Sequence, residues 1–333
     1  MIVAAGAAKG SEEDKVMKRL PAFILAILLL SLPVISCAEQ IVYQKEENTG
    51  RDKDSYPYIV RMPSATWYLA KADIELLGED AFYKGLYTML DDAEADMQDA
   101  REALKGYIPD EIASIDIYTD FCCKAKAGIS ATSSAYYNGS GNFIKLFDGW
   151  EIARISLQHE YVHYLTMHCA QNPTQFGFWA EGIAEYVSNF ICRNRLARSE
   201  NMGFEIAGYP PVMWDLSWNE EENCIDPLKL SYGLGAIAAN GGLVGVPYYA
   251  VMNETIVRTD EMEKNLKPME LSLCEASGMI AYLVNTYGRD TVFTNWNIDP
   301  DAMETVFGKP FPELYREWAA WNAEQCKIMG MQF

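Results

Sequence analysis

The sequence predicts an α+β fold, with a small β-sheet built from the first half of the chain and mainly helices after it. In the first half, Thr66–Ala70 is a short uncharged run, and Ile115–Phe121 alternates apolar and polar residues as a strand does. From Trp150 onward, apolar residues recur mostly at three- and four-residue steps. That spacing is typical of helices that bury one face.

Further elements are predicted in order along the chain. Glu79–Lys105 is rich in helix formers and has its apolar residues on one side. Asn142–Phe147 follows the turn Asn138–Gly141 and is predicted as a strand. Gly203–Gly245 is rich in Gly, Pro, Trp and Asn and has no firm assignment. The remaining predicted helices are one that begins at Trp150, then Phe178–Arg195, Leu271–Tyr287, Thr291–Trp296 and Phe311–Ile328.

Composition places the chain of 333 residues among ordinary globular proteins, since 50% of the residues are hydrophobic and 22% are charged. The formal net charge is -20. A phosphate backbone would meet like charge at every approach, so nucleic acid is excluded as a partner. The acidity favours solubility, with a preference for basic or neutral substrates as the minor interpretation.

The N-terminus has the pattern of an exported protein. Basic residues precede the apolar run Leu20–Ile35, whose 16 residues fall short of the roughly 20 that a membrane-spanning helix needs. Residues 1–36 are therefore predicted to be a secretory signal peptide, with Met17 the better initiator. The ending Val34–Cys37 resembles the lipobox of bacterial lipoproteins, which implies a lipid on Cys37 and a location in the bacterial cell envelope. A signal peptide cut elsewhere and a short uncleaved anchor are the alternatives.

The predicted domain boundaries follow from this pattern. The polar stretch Lys45–Ser55 indicates that residues 37–55 are a lipid-anchored tether. Residues 56–200 are predicted to form the half that contains the sheet, and residues 201–333 a mainly helical lobe. Of the 8 cysteines, those other than Cys37 are odd in number and cannot all pair within one chain, and their connectivity stays open.

Two of the 3 histidines stand in His159–His163, HEYVH, which matches the pattern HExxH. Positions four apart share one face of a helix, so both imidazoles can reach one metal ion while Glu160 points at a water on that ion. A chance pair at this spacing would arise in roughly one chain per thousand, so a histidine pair without a metal is the weaker interpretation. His168 lies off the ligand face and is predicted to be a helix-end residue.

A catalytic zinc ion takes three protein ligands and leaves the fourth position to water, so a third ligand is expected. The metzincin pattern HExxHxxGxxH requires Gly and His where this chain has Thr166 and Cys169. That leaves a thiolate at Cys169 as an unusual alternative. The other source is a carboxylate on the following helix, where FWAEGIAEY, residues 178–186, supplies Glu181.

HEYVH followed by WAEGIAEY resembles the gluzincins, which include the membrane alanyl aminopeptidases and the peptidase MA-like families. Their third zinc ligand is the Glu of an NEGxA segment, which implies that role for Glu181. The resemblance also implies that Glu185, one turn later, orients His159, although a solvated helix charge fits the pattern equally well. The fold implied is the thermolysin-like zincin fold, in which the HExxH helix packs beneath a small mixed sheet.

The resemblance is weaker outside the zinc segments. Glu275–Gly288 and Leu314–Trp318 resemble the helical half of peptidase MA-like proteins. No GxMEN segment precedes HExxH, so exopeptidase activity is not implied. Gluzincins also use a Tyr or His to stabilise the tetrahedral oxyanion, and the candidates by position are Tyr232, Tyr248 and Tyr249.

The sequence therefore predicts a peptidase with one catalytic Zn²⁺, held by His159, His163 and Glu181, in which Glu160 is the general base. The expected substrate is a peptide or protein, with internal and terminal cleavage both open. One alternative is a non-catalytic surface lipoprotein that binds a partner or glycan on a zincin scaffold. Another is a zinc-dependent hydrolase of non-peptide bonds.

Overall fold

A computed structural model describes residues 43–50, 52–122, 135–147, 149–174, 177–192, 218–219, 224–225 and 267–328. All of them belong to one compact unit that begins at Tyr43. The predicted signal peptide, Cys37 and the three candidate oxyanion tyrosines lie outside the described residues. None of the helices in the described ranges is both long enough and apolar enough to cross a bilayer.

A six-stranded mixed sheet forms the first half of the fold. Its three central strands run parallel, and the pairs at both margins are antiparallel. Successive side chains of a strand point to opposite faces, and the central strands bury Trp67, Ile117 and Ile144 against the helices. Across the sheet the order is β1 (Lys45–Glu47), β2 (Tyr58–Arg61), β3 (Ala65–Leu69), β4 (Ile115–Thr119), β6 (Phe143–Leu146) and β5 (Ala135–Asn138).

Eight α-helices are described in these ranges. Two of them, Trp150–His163 and Gly177–Glu185, continue directly into π-helical segments, Tyr164–Cys169 and Tyr186–Ile191. A 3₁₀ turn covers Pro300–Ala302, and Trp218–Asn219 pairs with Cys224–Ile225. The helices are α1 (Lys71–Leu77), α2 (Glu79–Ala103), α3 (Trp150–His163), α4 (Gly177–Glu185), α5 (Lys267–Tyr287), α6 (Arg289–Thr294), α7 (Glu304–Phe307) and α8 (Phe311–Ile328).

Most of the predicted elements are confirmed, and some further short elements were not predicted. Strands β3, β4 and β6 and helices α2, α3, α5, α6 and α8 lie within a few residues of their predicted ranges. The sequence did not predict β2, β5 or α1. These elements have only 4 to 7 residues and show no clear period in the sequence, although the confirmed strands β3, β4 and β6 are equally short.

The predicted tether is corrected at its centre. Lys45–Glu47 form the edge strand β1, with all three side chains exposed and the backbone paired to Tyr58–Val60. The Lys45 ammonium lies 4.3 Å from the centre of the Tyr58 ring. A polar segment can join a sheet margin because its contribution is backbone hydrogen bonding, which composition does not reveal.

Helix α3 is fixed to α2 along its whole length. At its start Trp150 packs on Gly85, where an added Cβ would come within 2.2 Å of the indole ring. Further along, the buried Gln158 donates to the Asp96 carbonyl at 2.7 Å, and Arg101 Nε donates to the Tyr161 hydroxyl at 2.5 Å. These contacts set the rotation of α3, whose other side packs on β5, β6 and α4.

Helix α4 is placed by the C-terminal helices. It packs along α5 so closely that a Cβ on Gly182 would meet Ile280 Cγ1 at 3.1 Å and Ala276 Cβ at 3.2 Å. Its aromatic residues Phe178 and Trp179 are buried in the same core. The position of α4 therefore depends on residues about a hundred positions further along the chain.

Candidate metal centre

The two imidazoles of the HExxH segment lie side by side on α3. The helix starts at Gly149, whose φ of +88° suits glycine. Its apolar residues Leu157, Tyr161 and Val162 are buried in the core. The opposite face carries His159 and His163, one turn apart, with ring centres separated by 4.6 Å.

Glu181 on α4 meets both imidazoles with a single carboxylate oxygen. Its Oε2 lies 3.1 Å from His159 Nε2 and 3.3 Å from His163 Nε2. In the part of the chain that the structure describes, these three residues are the one group able to hold a metal ion, with ligand atoms all within 4.8 Å of one another. Two imidazoles and one carboxylate are a donor set of catalytic zinc, so the residues fit this metal.

Charge balance in the cluster explains the pKa values of its members. Burial alone would raise the pKa of Glu181, but the imidazoles of His163 and His159 outweigh it and hold this pKa well below its usual range. Burial would lower the pKa of His159, but Glu185 and Glu181 raise it well above its usual value. In the metal-free site the carboxylates of Glu181 and Glu185 therefore lie within ion-pair distance of the imidazoles, and a divalent cation would compete with protons for the imidazole nitrogens.

Glu185 lies one turn after Glu181 and faces the other nitrogen of His159. Its Oε1 is 2.9 Å from Nδ1, an ion-pair distance. Such a partner limits rotation of the imidazole. The Nδ1 atoms of His159 and His163 are both buried and have no hydrogen-bond partner among the described residues.

Glu160 lies beside the cluster and is held by the sheet. Its Oε2 accepts a hydrogen bond from the backbone N–H of Tyr137, on β5, at 2.6 Å. Burial raises the pKa of Glu160, and the imidazoles of His159 and His163 oppose this rise. The sequence did not single out Tyr137, since it acts through its backbone; the aromatic run just before the predicted turn was the available signal.

Cys169 and His168 lie outside the metal-ligating group. Cys169 is half-buried, and burial raises the pKa of its thiol although Tyr164 opposes the rise. A protonated thiol is a poor metal ligand, and Cys169 is not a member of the cluster, so a thiolate ligand at this position is not supported. The ring of His168 stacks on Tyr164 with centres 5.7 Å apart.

Helices α3 and α4 both change from α to π geometry directly after a residue of the site, which is His163 in α3 and Glu185 in α4. At the first change Thr166 Oγ1 donates to the Val162 carbonyl at 2.9 Å, and at the second Ser188 Oγ donates to the Ala184 carbonyl at 2.8 Å. Both hydroxyls are buried. They give the carbonyls a partner at the point where the helical hydrogen-bond pattern changes.

The chain matches no protein-family model and no curated protein.

Proposed function

We propose that this protein is a zinc-dependent peptidase of the gluzincin type on a zincin fold. The observation that carries the proposal is the convergence of two imidazole Nε2 atoms on one oxygen of Glu181, at 3.1 and 3.3 Å. Glu160, adjacent in sequence to the first imidazole, completes the set that metal-assisted hydrolysis requires.

Each side chain has a separate task. His159, His163 and Glu181 would hold the ion, and Glu185 would keep the imidazole of His159 in place. When bound, zinc supplies Lewis acidity, which lowers the pKa of water towards neutrality and polarises a carbonyl oxygen. Glu160 accepts the proton of the attacking water as the general base.

The Tyr137 backbone N–H gives Glu160 a fixed orientation. It binds Oε2 and leaves Oε1 to accept the proton. Because the donor belongs to a paired strand, the base is positioned by the sheet while the metal ligands are positioned by the helices. The signal peptide at residues 1–36 and the lipid on Cys37 belong to the same proposal, and would place the enzyme on the bacterial cell envelope.

Replacement of Glu160 by Gln tests the proposal directly. We expect Glu160→Gln to keep its zinc, because the ligands are intact, and to lose peptide hydrolysis by about 10²- to 10⁴-fold, the usual contribution of a general base. Metal content of the purified protein and digestion of a peptide library measure the two quantities.

A matched control is Glu102→Gln, which changes an exposed carboxylate on α2 that pairs with Lys105. This variant should hydrolyse peptides like the wild type. Wild-type rates in Glu160→Gln would exclude Glu160 as the base. Zinc in the wild type without cleavage of any peptide would instead favour the non-catalytic binding lipoprotein.

A further inference from the structure

We propose that Asn172 is a positioning residue for the metal centre. It binds the turn formed by residues 294–298 at the end of α6, and this contact fixes helix α4 and, with it, Glu181. Asn172 lies in the connection between the two ligand helices and is not a member of the metal-ligating group. The inference rests on the proposed function in one respect, since it requires that His159, His163 and Glu181 bind a metal ion.

Both polar atoms of the Asn172 side chain, and the backbone carbonyl of Asn172, form hydrogen bonds with this turn. Nδ2 donates to the Thr294 carbonyl at 3.0 Å. Oδ1 accepts from Asn297 Nδ2, and the backbone carbonyl accepts from Trp296 Nε1. Three hydrogen bonds from one residue hold the connection to a segment more than 120 positions away in sequence.

The same turn also holds the first turn of α4. Trp179 Nε1 donates to the Ile298 carbonyl at 2.8 Å, and the Trp179 ring is buried. Trp179 stands two residues before Glu181. The turn thus bonds to both ends of the segment that leads into the carboxylate ligand.

The connection is tied to the first ligand helix as well. Thr174 N–H donates to the Thr166 carbonyl at 3.0 Å, three residues beyond His163. The turn itself is anchored in the core, because Trp296 is buried and its ring lies 5.4 Å from that of Phe293. A continuous set of contacts therefore relates the imidazoles to the carboxylate.

Glu181 needs this support more than the imidazoles do. The separation of His159 and His163 is a property of one helix, whereas Glu181 can move relative to them whenever α4 shifts. Ligand and catalytic side chains work only within about 0.5 Å of the productive geometry. Loss of the Asn172 contacts should therefore weaken metal binding without changing any ligand.

The test measures zinc affinity of the full protein by competition with a chromogenic chelator. We expect Asn172→Ala to bind zinc about tenfold more weakly than the wild type, the lower end of the effect of outer-shell partners. Trp179→Phe removes the second contact to the turn and should weaken binding similarly. Because both substitutions act through the same turn, zinc affinity in the double variant should fall by less than the product of the two single-variant factors.

Asn48→Ala is the matched control, because it removes another asparagine that bridges a loop. Its Nδ2 donates to the Tyr56 carbonyl at 2.8 Å, at the far margin of the sheet. The thermal unfolding temperature of Asn48→Ala should fall about as much as that of Asn172→Ala, while the zinc affinity of Asn48→Ala should equal that of the wild type. Equal losses of zinc affinity in both variants would reduce Asn172 to a general stabilising residue and overturn the proposal.

Two further outcomes are decisive. If Asn172→Ala does not fold, Asn172→Asp replaces the Nδ2 donor with a charged carboxylate oxygen that cannot bond to the Thr294 carbonyl, and it must still weaken zinc binding. Wild-type zinc affinity in the folded Asn172 variants would overturn the positioning role and leave the proposed function untouched. A wild type that binds zinc no better than His163→Ala would overturn both.

Discussion

The two helices of the candidate site, α3 and α4, place their side chains there in different ways. On α3, the imidazoles of His159 and His163 are neighbours because they stand four positions apart in one helix. On α4, Glu181 reaches them only because that helix packs against α5 and its connection is bound to the turn after α6. The pair of imidazoles on α3 is thus the local half of the site. Glu181 on α4 is the long-range half, because its position depends on packing against distant parts of the chain.

This difference has an energetic meaning. The local half persists wherever α3 is helical, while the long-range half is only as stable as the core between α4 and α5. Loss of packing at Gly182 or of the hydrogen bonds at Asn172 should therefore affect metal binding through Glu181. The following predictions test that difference from the largest expected effect to the smallest.

The largest loss is expected from His163→Ala, which removes a ligand from the local half. Structural zinc sites bind with about 12 kcal/mol over four ligands, so one ligand accounts for roughly 3 kcal/mol, or about a hundredfold in affinity. Chelator competition measures this loss. His168→Ala, a change on the same helical segment outside the cluster, should bind zinc like the wild type.

Gly182→Ala tests the long-range half. The added Cβ would lie 3.1 Å from Ile280 Cγ1 and 3.2 Å from Ala276 Cβ, so the contact between α4 and α5 must give by a few tenths of an ångström. We expect the free energy of unfolding to fall by about 2 kcal/mol, as for other overpacked cores, and zinc affinity to fall with it.

Gly278→Ala is the control for this prediction. Its Cβ would lie 3.1 Å from Trp318 Nε1, at the packing of α5 against α8 rather than against α4. Urea unfolding should show a comparable loss of stability, but zinc affinity should not change. Equal zinc affinities in the two glycine variants would show that α4 does not set the ligand geometry.

The smallest effect is expected from Glu185→Gln in the metal-free protein. Burial lowers the pKa of His159, but Glu185 and Glu181 raise it well above 6.5. Because the folded pKa is the higher one, the stabilisation is fully present below about pH 6.5 and is lost as the pH rises through the folded pKa.

Urea unfolding measures this effect. At pH 6, Glu185→Gln should lower the free energy of unfolding by about 1 kcal/mol, as for a partly exposed ion pair, and the difference should shrink at alkaline pH. Glu102→Gln, which alters an exposed pair, supplies the control. A difference that does not change with pH would mean that His159 is uncharged beside Glu185.

Sequence patterns predicted most of the helices and strands around the site, but several contacts at the site had no signal in them. The helices that carry HEYVH and WAEGIAEY could be predicted because helical periodicity is a local property, whereas the ligand role of Glu181 was implied by the resemblance to gluzincins. The contact of Tyr137 was not predicted because its backbone, rather than its side chain, binds Glu160. The contacts of Asn172 were not predicted because its partners lie more than 120 positions away in sequence.

By itself, the sequence determined that two imidazoles and a glutamate share one side of a helix, and that a second helix offers two carboxylates one turn apart. Both follow from spacing within a helix, which the backbone geometry fixes. Only the tertiary structure decided that Glu181 meets the imidazoles, that Glu185 faces His159, and that a strand holds Glu160. Those choices depend on how side chains such as Gly182 fit against distant helices, and close packing of that kind has no sequence period.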